Sequence, residues 1–229
     1  MKKVDRQDKL ILALDVSNKK EAQKFMRILA GSVKIVKIGP VLFTAYGPEI
    51  VRYAQRLGYK VFLDLKFHDI PNTVAEAVRQ AVRLDVFMLT LHAQGGDQML
   101  CTASKAAKEE AQHLGKTPPI LLAVTVLTSH SEEKYTKDIV VKRAKLALEC
   151  GLDGIVCSVK EVQLVRNACG RKLLIITPGI RPSGCPAGDQ KRIATAEEAF
   201  KEGADYIVVG RPILEAKEPL EMIRKCLEF

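Results

Sequence analysis

Along the chain, short apolar runs rich in β-formers alternate with longer stretches whose apolar residues recur every three to four positions. Turns of polar or glycine residues separate the two. The short runs predict strands at ILALDV (11–16), KIVKIG (34–39), KVFLDLK (60–66), VFMLTLHA (86–93), ILLAVTVL (120–127), GIVCS (154–158), LLIITPG (173–179) and YIVVGR (206–211). Helices are predicted between them, among others at KKEAQKFMRILA, TVAEAVRQAVRL, EKYTKDIVVKRAKLALECG and TAEEAFKEGA, and PLEMIRKCLEF closes the last unit. Strands that are apolar on nearly every residue belong in a parallel sheet covered on both faces. Eight such units predict a (β/α)8 barrel that takes up residues 1–229 as one domain. An open doubly wound sheet is the structural alternative, but its G-x-G-x-x-G turn is missing: the first strand reads "LALDVSN".

A barrel places chemistry at the C-terminal ends of its strands. Polar residues gather there: Asp15 on the first strand, Lys37 on the second, Asp64 and Lys66 on the third, His92 on the fourth and Thr128 after the fifth. The third strand is the most telling. In "KVFLDLKFHDIPN", Asp64 and Lys66 are two apart and project together from an extended strand, while Asp69 lies in the turn that follows. Charge at the end of an apolar run is costly unless it is paired or does chemistry. One Asp-Lys pair reads as an ion pair capping a strand; a second carboxylate bunched near the same ammonium favours function.

The last two strands point to a phosphate. Barrels often hold one with the loops after strands seven and eight, through backbone N–H groups and a nearby cation. Strand seven runs into "TPGIRPSGCPAGDQKR", which carries Arg181 and Gln190, and strand eight ends in "VVGRP", with Gly210 and Arg211. Glycine permits close backbone approach and arginine offers a bidentate fork. Singly, each of these residues has an ordinary reading: Lys37 a structurally paired interior lysine, Thr128 a strand-end cap, Gln190 a solvated loop residue. Their shared place at the strand ends reverses that preference. His92 keeps the ordinary reading, a hydrogen-bonded core histidine, and Gly95-Gly96 reads as the turn before a helix starting near Asp97.

Composition narrows the picture further. With 47% hydrophobic and 28% charged residues, the 229-residue chain has the make-up of a soluble globular protein. The start, "MKKVDRQDKLILALDV", is interrupted by Asp5, Asp8 and Asp15 and lacks a signal-peptide apolar run; no segment approaches a membrane span. The expected location is the cytoplasm, with no membrane partner. The six cysteines (Cys101, Cys150, Cys157, Cys169, Cys185 and Cys226) show no C-x-x-C spacing and are expected to be free thiols. The four histidines form neither HExxH nor HxxxH, so no metal site is expected. A net charge of +9 raises the question of nucleic acid, but the basic residues are scattered among acids on helical segments. The excess charge suits steering of a small anionic substrate instead.

At this level of detail the chain resembles a known family. "LDLKFHDIPNTV" is similar to the D-x-K-x-x-D-I-P-N-T signature of the orotidine 5'-phosphate decarboxylases. Other segments agree in order: "LALD", "VKIG", "LHAQGG", "VTVLTS", "TPGIRP" with the following "GDQ", and "VVGRP". The resemblance spans nearly the whole chain.

It implies the (β/α)8 fold and removal of CO₂ from C6 of orotidine 5'-phosphate to give UMP, without metal or organic cofactor. Lys66 would stand beside C6, stabilise developing charge and deliver the proton. Lys37, Asp64, Lys66 and Asp69 would form the charged network, with Asp69 reaching the pocket of a neighbouring subunit in an obligate homodimer. Asp15 and Lys37 would bind ribose hydroxyls, Thr73 would come from the partner chain, and Thr128 would contact the pyrimidine. Gln190, Gly210 and Arg211 would hold the phosphate, with Arg181 near its loop. An ammonium fixed between carboxylates suits such chemistry, because it needs no reorganisation during reaction.

Two rivals remain at this stage. Related barrels that also carry D-x-K-x-x-D are sugar-phosphate decarboxylases and hexulose-phosphate synthases, whose acids bind Mg²⁺; the I-P-N-T continuation and the "GDQ" loop favour the nucleotide enzyme. The other is a noncatalytic barrel that binds nucleic acid, for which aromatic residues interleaved with basic ones are wanting.

Overall fold

The computed structural model describes residues 6–126, 133–182 and 193–228, with backbone alone at 133–136. All eight predicted strands form: β1 (Leu10–Ala13), β2 (Ile35–Ile38), β3 (Lys60–Phe67), β4 (Met88–His92), β5 (Ile120–Val124), β6 (Gly154–Val156), β7 (Leu174–Thr177) and β8 (Tyr206–Val209). Each pairs in parallel with the next, and β8 pairs back onto β1 through Ile11 opposite Val208, so the sheet closes into a barrel. The helices are α1 (Lys19–Ile28), α2 (Pro40–Arg56), α3 (Pro71–Arg83), α4 (Gly96–His113), α5 (Glu133–Glu149), α6 (Val159–Cys169), α7 (Ala196–Glu202), α8 (Arg211–Leu214) and α9 (Pro219–Leu227). Several ladders stop two or three residues before the apolar pattern does. Just beyond β1, Leu14 still donates its N–H to the Lys37 carbonyl and packs into the outer core, while Asp15 reaches the barrel mouth.

Side-chain alternation divides the apolar residues between two cores. One set fills the barrel interior: Ile11, Ala13, Ile35, Phe62, Met88, Leu122, Ile176 and Val208. The opposite parity, including Leu10, Leu12, Val36, Val61, Leu63 and Leu89, packs against the helices. On β6 the interior position 154 is a glycine, since a Cβ there would lie 2.5 Å from the Leu174 carbonyl oxygen, and Val156 is the side chain that packs inward. The inward parity also continues upward into the charges: Ala13 leads to Asp15, Ile35 to Lys37 and Phe62 to Asp64. Period two along each strand therefore delivers the polar residues to one mouth.

Helix starts are set by local chemistry. Asn18 accepts from the Glu21 N–H to open α1, and Thr195 with Glu198 makes a capping box for α7. Proline stands in the first turn of α2 and α3. Gly96 has φ +81° where the chain turns into α4, as expected of the Gly95-Gly96 pair.

One expectation is corrected. Cys101 on α4 and Cys150 just beyond α5 are joined as a disulfide, with Cα atoms 4.4 Å apart. The two are 49 residues apart in sequence and meet only because α4 and α5 are neighbours in the helical ring, which Cys spacing does not reveal. Cys157 and Cys169 are free and buried, and Cys226 is buried; Cys185 lies outside the described residues. Among those residues no helix is long and apolar enough to cross a membrane.

Candidate active site

The mouth at the C-terminal strand ends opens into a cavity of about 210 Å³. Asp15, Lys37, Asp64 and Lys66 line one side of it, and Gly179, Arg181, Gly210 and Arg211 another. Val124, Val126, Val156 and Pro178 supply an apolar wall. The cavity thus has a charged side, a basic glycine-bearing side and an apolar wall.

Asp64 is at the centre of the charged side, 8% exposed. Its Oδ1 accepts from Lys66 Nζ at 2.9 Å and from Thr90 Oγ1 at 3.0 Å, and its Oδ2 lies 3.4 Å from Lys37 Nζ. Lys37 Nζ also donates to Asp15 Oδ1 at 3.0 Å. The result is a chain of alternating charge, Asp15, Lys37, Asp64, Lys66, across the ends of β1, β2 and β3. Burial opposes ionisation of Asp64, but the two ammonium groups and the hydrogen bonds from Lys66 and Thr90 outweigh it and hold the carboxyl below its usual range. Burial likewise works against the Lys37 ammonium, and Asp64 and Asp15 overcome it, raising its pKa. Asp64 and Lys37 thus keep their opposite charges in spite of burial.

The backbone that carries Lys66 is unusual. Leu63 pairs with Leu89 and Phe67 with Leu91, so three β3 residues, 64–66, face one β4 residue, Thr90. This bulge puts Lys66 at φ +51°, a left-handed conformation that non-glycine residues seldom adopt. The Lys66 N–H donates to Thr90 Oγ1 at 2.9 Å. The extra residues swing Lys66 over the cavity, where its side chain meets Asp64 again.

The remaining expected residues divide. Arg181 is 8% exposed and its guanidinium donates to the Ile180 carbonyl at 2.9 Å, while its N–H donates to the Ala194 carbonyl and secures the start of the loop after β7. At Gly210 an added Cβ would come within 3.3 Å of Ala13 Cβ, so a side chain there would crowd the floor between β8 and β1. Asp69 and Thr73 are exposed and do not line the cavity; Asp69 Oδ1 accepts from the Ile70 N–H at 2.7 Å in the turn before α3. Thr128 and Gln190 lie outside the described residues. His92 is partly buried, accepts at Nδ1 from the Gln94 N–H at 3.2 Å, and stacks on His68 with ring centroids 5.2 Å apart. Burial first, then His68, Arg143 and Lys66, depress its basicity.

Thr90 was missed in the sequence because threonine is an ordinary strand former inside "VFMLTLHA". Its parity with His92, two residues on, is the one available signal that it faces the mouth.

A barrel with a closed parallel sheet, an alternating charge chain at the strand ends and a basic glycine-bearing side opposite belongs among the enzymes that act on small anionic substrates at this face. The family follows from comparison: the model of the orotidine 5'-phosphate decarboxylase / HUMPS family matches residues 8–226, and the chain belongs to that family. A curated relative from Syntrophomonas wolfei, named orotidine 5'-phosphate decarboxylase, is 46% identical, covering 96% of this chain and 97% of its own. One of the same name from Moorella thermoacetica is 45% identical over 98% of this chain and 92% of its own. The crystal structure of orotidine 5'-phosphate decarboxylase from Lactobacillus acidophilus superposes with a TM-score of 0.83 at 36% identity, covering 97% of this chain and 100% of that one. The chain is a carboxy-lyase of this family.

Proposed function

We propose that the protein, with residues 1–229 as a single catalytic domain, converts orotidine 5'-phosphate to UMP in pyrimidine biosynthesis in the cytoplasm, without metal or organic cofactor. The observation that carries this reading is the pairing of Asp64 with lysines on both sides. Its oxygens are engaged by Lys66, Thr90 and Lys37.

In the reaction the C6–carboxylate bond breaks, its electron pair stays on C6, and CO₂ departs. The Lys66 ammonium, fixed at the mouth, stabilises the developing carbanion and then transfers a proton to C6; solvent returns the proton to Lys66. Such a preset cation is worth most in a partly desolvated site, where no dipoles must turn as charge appears. Asp15 and Lys37 bind the ribose hydroxyls, and Thr128 contacts the pyrimidine. Gly210, Arg211 and Gln190 take the phosphate, with Arg181 bracing the adjoining loop. Asp69 and Thr73 act in the pocket of a second copy, so the active form is a homodimer with shared sites. Their exposure and their absence from the lining of their own cavity support that assignment.

The direct test is to incubate the purified protein with orotidine 5'-phosphate and follow the ultraviolet change to UMP. Conversion is expected, and a folded protein that leaves the substrate intact overturns the reading. The shared pocket is tested by exchanging subunits between Lys66→Ala and Asp69→Asn homodimers, each nearly inactive. Random pairing makes about half the dimers mixed, each with one intact pocket, so activity should return to roughly a quarter of wild type. No recovery after demonstrated exchange would place Asp69 in its own chain's pocket.

A further inference from the structure

Thr90 makes two contacts that no other residue of β4 is placed to make. It is fully buried and is the single residue opposite the three-residue bulge of β3. Its hydroxyl has one proton to give and lone pairs to accept, and both capacities are spent on the charged chain. Oγ1 donates to Asp64 Oδ1 at 3.0 Å and accepts from the Lys66 N–H at 2.9 Å. The second bond replaces the ladder carbonyl that a regular strand would offer that N–H.

We infer that Thr90 is a positioning residue for the decarboxylation, holding the Lys66 backbone in its left-handed conformation and the Asp64 carboxylate in register with the Lys66 ammonium. The inference rests on the function proposed above. A left-handed lysine persists only where its surroundings over-determine it, and the N–H bond to Thr90 is the contact that does so. The same hydroxyl fixes the Asp64 oxygen that Lys66 Nζ uses, so main chain and side chain of Lys66 are both referred to one atom of β4. Removing that atom leaves the Lys66 N–H without its acceptor and takes away one of the three groups that hold the Asp64 carboxylate. The ammonium then loses its aim by a fraction of an ångström to an ångström, which is costly for chemistry that depends on placement. Substrate binding draws on other strands: Gly210 and Arg211 follow β8, and Asp15 follows β1. Thr90 should thus govern the chemical step more than affinity.

Thr90→Val tests this, because valine keeps the branched shape and removes both hydrogen bonds. Wild type is assayed alongside, so that failure of wild type to convert orotidine 5'-phosphate rejects the proposed function itself. With an active wild type, kcat of Thr90→Val is expected to fall about 10- to 100-fold, the scale of a lost hydrogen bond to a charged group, with KM changed less than about threefold. Thr90→Ser, which restores the hydroxyl, should recover most of kcat. Where Thr90→Val does not fold, Thr90→Ala, which presses no methyl against the carboxylate, is read in the same way. A folded variant lacking the hydroxyl with wild-type kcat, or a Thr90→Ser variant that stays as impaired as the valine, overturns the inference.

Discussion

At the N-terminal end of the barrel, acidic side chains are tied into backbone. Asp153 accepts from the Leu121 N–H at 2.8 Å at the start of β5, and Asp205 from the Ile175 N–H at 2.8 Å at the start of β7. Arg166 on α6 pairs with Asp205 at 2.5 Å and also donates to the carbonyls of Gly203 and Leu173. At the C-terminal end, Asp64 bonds to Lys66, Thr90 and Lys37, side chains all. A carboxylate that receives main-chain N–H groups stitches strands together, and its worth is stability. One held among side chains at the rim of a cavity does little stitching while bearing the cost of burial, and such an arrangement is kept for chemistry. Like charges at opposite ends of one sheet therefore have different uses, and substitutions should separate them.

The sharpest separation comes from Lys66→Ala. Turnover of orotidine 5'-phosphate should fall by about 10⁵-fold or more, since the mechanism proposed above loses both electrostatic stabilisation and protonation. Its thermal unfolding midpoint should change little, because Lys37 Nζ and Thr90 Oγ1 still engage the Asp64 carboxylate. A kcat close to wild type would exclude Lys66 as the acid. Next in size, Arg211→Ala should lower kcat/KM for orotidine 5'-phosphate about 100-fold while leaving turnover of orotidine, which lacks the phosphate, nearly unchanged. Equal losses on both substrates would put Arg211 to other use.

Asp205→Ala should do the reverse. Loss of the Arg166 pair and of the Ile175 N–H acceptor should reduce stability by roughly 2–3 kcal/mol, measured by denaturant unfolding, with kcat unaltered. A loss of kcat in the folded variant would break the comparison between the two ends. The smallest effect is one of pH. Because the folded state holds the Asp64 pKa below its ordinary value, its ionised form adds stability above the unfolded pKa of about 3.9, and that contribution disappears as pH falls through the folded value. The gap in unfolding midpoint between wild type and Asp64→Asn should be present at neutral pH and close in strong acid. A gap independent of pH would mean the asparagine acts through packing alone.

The sequence disclosed the two ends unequally. Apolar runs separated by amphipathic helices were enough to find the eight strands, and alternation was enough to bring Asp15, Lys37 and Asp64 to one mouth. The reach of those runs was overestimated because residues such as Leu14 stay apolar after the ladder has ended. The β3 bulge was hidden: nothing in "LDLKF" announces that three residues will face one, since register depends on the partner strand. Thr90 was lost for the same reason, its role being defined by what lies across from it. The Cys101–Cys150 link likewise depends on which helices become neighbours. What the chain makes legible is the parity of each strand; what pairing adds is which side chains meet.

The claim at the centre is that Asp64 serves as the charge partner of two lysines rather than as a metal ligand. It is tested most directly by measuring kcat on orotidine 5'-phosphate after exhaustive chelation, with and without added Mg²⁺. Turnover unchanged by EDTA and indifferent to Mg²⁺ is the expected result. Turnover lost in EDTA and restored by Mg²⁺ would contradict it, placing a cation where Lys37 and Lys66 now hold the carboxylate.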